Sequence, residues 1–64
     1  MPVYTFHHYG AGNAPCGITF ADFESDALAM QEAERLLVWH ELECVEVCEF
    51  RREVGIARRQ AATA

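Results

Sequence analysis

Lysine is absent from this sequence, and all five basic residues are arginines. Every fixed positive charge is therefore a guanidinium, always ionised and shaped for two-point pairing with carboxylates. Residues 1–21 contain no Asp, Glu, Lys or Arg at all. Long hydrophobic runs are also missing. Stretches such as Leu36 to Trp39 are far short of the ~20 apolar residues that a bilayer-spanning helix needs. The opening Met1-Pro2-Val3-Tyr4 has neither a basic start nor an apolar run, so no signal peptide is expected. Cysteine is scarce: Cys16, Cys44 and Cys48 cannot all pair within one chain. Reduced thiols and a cytoplasmic setting, without membrane partners, are the expectation.

Size sets the next limit. A chain of 64 residues makes one domain and buries only about 60% of its unfolded surface. With 52% hydrophobic and 23% charged residues it has the composition of a folded protein and not of a disordered tail. A core this small can hardly spare the several hundred Å³ of a substrate cleft. The expectation is a non-catalytic domain without a cofactor.

Charge is segregated along the chain. Residues 22–49 carry nine acids against Arg35, a net of −8, while residues 50–64 carry four arginines against Glu53, a net of +3, which restores the total of −5. An acidic middle repels nucleic acid and attracts basic surfaces.

Val3 to Tyr9 is β-branched and aromatic, with Tyr4, Phe6 and His8 on one face and Val3, Thr5, His7 and Tyr9 on the other. Gly10 to Gly17 reads as a loop, and Ile18 to Phe23 as a second strand in a hairpin with the first. Ser25 is a helix N-cap, with Asp26 in the first turn where the helix dipole favours an acid. From Ala27 to Trp39, residues Ala29, Met30, Ala33, Leu36, Leu37 and His40 fall on one apolar arc, and Gln31, Glu34, Arg35 and Val38 lie away from it. Cys44 to Phe50 alternates like a third strand, and Val54 to Arg58 reads as a short fourth. Cys44, Val47 and Cys48 also continue the helical arc, so one long helix to about residue 53 is the alternative. The resulting fold class is α+β, a small antiparallel sheet of three or four strands with one amphipathic helix packed on it (ββαββ). Residues 1–59 form the domain and residues 60–64 a frayed tail.

The opening Met1-Pro2-x-Tyr4-x-Phe6-His7, Gly17-Ile18, and a helix with Asp26-Ala27 and Ala33 resemble a group of small uncharacterised bacterial proteins that begin Met-Pro-x-Tyr-x-Phe. The likeness covers residues 1–38 and implies a strand, strand, helix, strand order. It departs after Trp39, where such proteins end in an Asp-Gly hairpin that is missing here. By type alone, a short acidic chain without catalytic signatures is similar to phage and prophage inhibitors, anti-CRISPR proteins among them.

Two constellations carry candidate chemistry. Asp22, Glu24 and Asp26 fall at every second position, as do Glu41 and Glu43. In extended chain such neighbours share a face about 6.6 Å apart, comparable to successive phosphates on a nucleic-acid strand. The bland reading is a solvated face that keeps the protein soluble. Trp39 reads either as a half-buried cap on the core or as an interface anchor. Asp22, Glu24, Asp26, Trp39, Glu41 and Glu43 are accordingly the candidate partner-binding residues. They suit a module that occludes the basic surface of a nucleic-acid-binding complex without touching nucleic acid itself, as a monomer or homodimer.

The second constellation is the set of metal-ligand types: His7, His8, Cys16, His40, Cys44 and Cys48. On a helix, His40, Cys44 and Cys48 would stack at i, i+4 and i+8 and make a zinc site with His7 or His8. Cys-x-x-x-Cys is not a zinc-knuckle spacing, and buried thiols commonly act as small hydrophobes. No metal site is assigned. A structural or homo-oligomeric domain and a small zinc protein stand as the alternative functions.

Overall fold

A computed structural model describes residues 1–59. The elements are β1 (Val3–Tyr9), a one-turn 3₁₀ helix (Ala11–Asn13), β2 (Pro15–Asp22), α1 (Asp26–Trp39), β3 (Cys44–Glu49) and β4 (Arg52–Arg58). The four strands form one antiparallel sheet in the order β2-β1-β3-β4. The α+β class and the ββαββ order are those that the sequence predicts. The tail assigned to residues 60–64 lies outside the described residues. No helix among the described residues is long and apolar enough to cross a membrane.

The alternation along each strand sorts residues between a covered and an open face. On the covered face, Tyr4 and Phe6 meet Val47 and Val45 of β3 and Ala57 of β4, and α1 contributes Ala29, Ala33, Leu36 and Leu37 to the same core. Ala29 and Ala33 are fully buried, and Gly55 on β4 lies directly under Met30. These small side chains let the helix approach β3 and β4 closely. Phe23, just past β2, meets Tyr4 and Phe6 edge-on at 6.2 and 6.0 Å and covers the part of β1 that the helix does not reach.

Both ends of α1 are capped. Ser25 Oγ accepts a hydrogen bond from the Leu28 amide at 3.3 Å. At the other end, the Leu42 amide donates to Leu37 O (2.9 Å) and the Glu41 amide to Val38 O (3.3 Å), with Glu41 at φ 52°. This is a Schellman motif with Glu41 in the position glycine usually takes, and buried Leu42 and Leu37 supply its apolar clasp. The motif ends the helix before Cys44, which removes the long-helix alternative.

The loop expected over residues 10–17 is shorter than the Gly and Pro content suggests, because β2 already begins at Pro15. An edge strand accepts Pro at its start, and a bulge at Cys16 absorbs the irregularity. The turn between β3 and β4 is Phe50-Arg51, with Phe50 at φ 56°.

Candidate metal centre

The open face of the sheet brings together residues that the sequence separates by about forty positions. In the antiparallel register His7 of β1 lies opposite Glu46 of β3, and Cys48 follows two residues along β3 on the same face. One ligating atom from each of these three side chains lies within 4.8 Å of the other two, and all three side chains are half-buried. Tyr9, next on this face of β1, points its hydroxyl at Glu46 Oε1 at 3.4 Å. Burial first, and then the negative charges of Glu46 and Glu53, push the Cys48 thiol up from its ordinary pKa. An imidazole, a carboxylate and a thiol are each established zinc donors, and three of them leave one coordination position open.

The other ligand-type residues are elsewhere. His8 is on the covered side, buried, with Nε2 3.0 Å from Thr19 Oγ1. Burial, followed by the neighbouring His40 and His7, lowers its pKa. His40 lies 5.8 Å from the His8 ring and caps the helix end. The Cys44 thiol faces Asn13 Oδ1 at 3.8 Å, and Cys16 is exposed at the β2 bulge. The helical stack of His40, Cys44 and Cys48 therefore does not form: the chain reverses at Glu41, and both cysteines sit on a strand. Glu46 is the candidate ligand that sequence reasoning missed. Its signal was present in the strand alternation, which puts Glu46 and Cys48 on one face, but the pairing with His7 depends on a register that only the fold supplies.

The six candidate partner-binding residues fall into two groups at opposite ends of α1, whose 14 residues span about 21 Å. Asp22, Glu24 and Asp26 flank its start, whereas Trp39, Glu41 and Glu43 follow its end. Asp22, Glu24, Glu41 and Glu43 are exposed. Asp26 is engaged within the molecule. Arg52 donates to both its oxygens at 2.8 Å, and the Tyr4 hydroxyl donates to Oδ1 at 2.8 Å. The same Arg52 reaches Glu49 at 2.6 Å, so one guanidinium ties the helix start to the β3–β4 hairpin. Hydrogen bonds from Arg52, then from Tyr4, hold the Asp26 carboxyl at about 2, below its ordinary 3.8. Trp39 is 74% exposed and Val38 78%, so Trp39 does not cap the core.

No family model matches the chain, and comparisons with curated proteins and with solved structures find no match.

Proposed function

We propose that this protein binds a borderline transition-metal cation, zinc in the first instance, through His7, Glu46 and Cys48. The convergence of the three donor atoms within 4.8 Å carries the reading. Zinc bonds of about 2.0–2.3 Å in a tetrahedral arrangement bring ligand atoms to about 3.5 Å from one another, so rotamer adjustments on a sheet face suffice to close the site. The mixed donor set matches a metal of intermediate softness and is poor for magnesium or calcium, which favour all-oxygen shells. Tyr9 supplies an outer-shell donor that orients Glu46, and such partners tune affinity by roughly 10–100-fold. A bound dication also offsets the repulsion between Glu46 and a Cys48 thiolate.

The experiment is titration of the full chain with Zn²⁺ and Co²⁺, followed by calorimetry and absorption. One cation per chain is expected, with a thiolate-to-cobalt charge-transfer band. Cys48→Ser should remove the band and His7→Ala should weaken binding severalfold or more, while Cys16→Ser should leave both unchanged. Binding that survives Cys48→Ser and His7→Ala together would sink the assignment, as would a chain that takes up no metal at micromolar concentration.

A second reading rests on Trp39. Its exposure beside Val38, with exposed Glu41 and Glu43 close in sequence, suits an aromatic anchor with neighbouring acids that docks on a basic protein surface. That is the non-catalytic acidic module, possible in an inhibitor, reduced to one end of the helix. Trp39→Ala and Glu43→Lys should each weaken capture of a basic partner; a partner retained by both variants excludes this end of the molecule.

A further inference from the structure

The two edges of the sheet differ in how they are protected. β4 carries Arg52, Glu53 and Arg58, is interrupted by a bulge at Val54, and lies against α1. Charges, bulges and a covering helix are the devices by which proteins keep an edge strand from pairing with another chain. β2 has little of this. From Gly17 to Ala21 it is regular and uncharged, with Cys16 bulged before it and Asp22 closing it. Among the described residues its neighbour in the sheet is β1 on one side only, and Ile18 and Phe20 are 54% and 68% exposed.

The direction of its free backbone groups follows from the ladder. The Phe23 amide donates to Pro2 O at 3.2 Å, and the register places Phe23 beyond the Val3–Asp22 pair. In an antiparallel ladder alternate residues turn their N–H and C=O to the same neighbour. Ala21, Thr19 and Gly17 therefore bond to β1, and Ile18, Phe20 and Asp22 direct theirs outward. A row of outward donors and acceptors is left beside two large apolar side chains.

We infer that β2 pairs antiparallel with β2 of a second copy of this chain, joining two four-stranded sheets into one of eight strands. The uncharged edge suits this occupant, because an antiparallel copy of it offers matching donors, acceptors and apolar side chains. Centred on Thr19, a two-fold axis brings Ile18 of each copy opposite Phe20 of the other and stacks no like charges. The two Asp22 carboxylates fall about 20 Å apart at opposite ends of the seam. The arrangement is isologous and closes on itself, leaving the protected β4 strands as the outer edges. A short strand edge is a small contact, at the low end of interface sizes, and a weak, concentration-dependent equilibrium is expected.

Sedimentation equilibrium on the full chain, over a concentration series to about 1 mM, tests the inference. A monomer–dimer equilibrium is expected, with the Ile18 and Phe20 amides gaining exchange protection as concentration rises. Phe20→Lys should weaken the dimer by about tenfold or more, and Ile56→Lys, on the open face of β4, should leave it unchanged. Exchange protection in the unmodified chain provides the readout if Phe20→Lys does not fold. A chain monomeric throughout the series overturns the inference. So does a dimer that Phe20→Lys leaves intact, or one that Ile56→Lys disrupts equally, which would place contact on the sheet face instead of its edge. Repeating the series with chelator and with zinc separates edge pairing from association bridged by the metal centre.

Discussion

Glu41 occupies a backbone region that costs an L-residue roughly 1–2 kcal/mol, and it does so because the chain has no glycine where α1 must stop. The Schellman hydrogen bonds and the Leu37–Leu42 clasp hold it there. Glu41→Gly should therefore stabilise the fold by about 1 kcal/mol, read as a rise of several degrees in thermal midpoint. An unchanged or lowered midpoint would show that the Glu41 side chain contributes more than its backbone costs. Phe50 makes the same demand at the β3–β4 turn, where φ is 56°. Both residues explain why this half of the chain was the harder to read. Turns announce themselves through Gly, Pro, Asn or Asp, and here a glutamate and a phenylalanine take positive φ without any such signal.

At the scale of elements, the apolar arc of α1 and the alternation of β1 were legible because period alone specifies a buried face. Ala29, Ala33, Leu36 and Leu37 are buried and Met30 half-buried, as the arc requires, whereas His40, which the arc also included, is exposed at the C-cap where the helix ends. The start of β2 was less legible, since Pro15 and Gly17 read as loop residues unless the strand is known to lie at an edge. The candidate metal centre was legible only as a set of residue types. Periodicity places Glu46 beside Cys48, but nothing in a single strand says which residue of β1 lies across from them. Strand faces also rank substitutions. Phe6 is 1% exposed and Val3, on the opposite face of β1, is 52% exposed. Phe6→Ala should cost about 3–5 kcal/mol, enough to abolish a cooperative denaturant transition in a domain of this size. Val3→Ala should change stability by no more than about 0.5 kcal/mol. Comparable losses from the two variants would contradict the assignment of faces.

For the molecule as a whole, the acidic excess is partly neutralised internally. Arg52 bridges Asp26 and Glu49, and Arg35 pairs with Glu32 at 2.7 Å. The Asp26 carboxyl lies at about 2 against an ordinary 3.8. A carboxyl depressed on folding stabilises the native state above the unfolded value and loses that contribution as pH falls through the folded one. Thermal stability should therefore decline between about pH 4 and pH 2 through this group. Asp26→Asn should be less stable than the parent at neutral pH and approach it near the lower limit. A gap between the two proteins that stays constant with pH would show that the Arg52 clamp contributes through packing and not through charge.

The strand order has one more effect, and it concerns the order of events as the chain is made. The N-terminal strand β1 lies inside the sheet, and its inner neighbour β3 begins only at Cys44. The first hairpin can zip locally, but Tyr4 and Phe6 have no lasting cover until Val45, Val47 and Ala57 have left the ribosome. Until then the aromatic face of β1 stays uncovered, and closure of the core waits on the synthesis of β3 and β4.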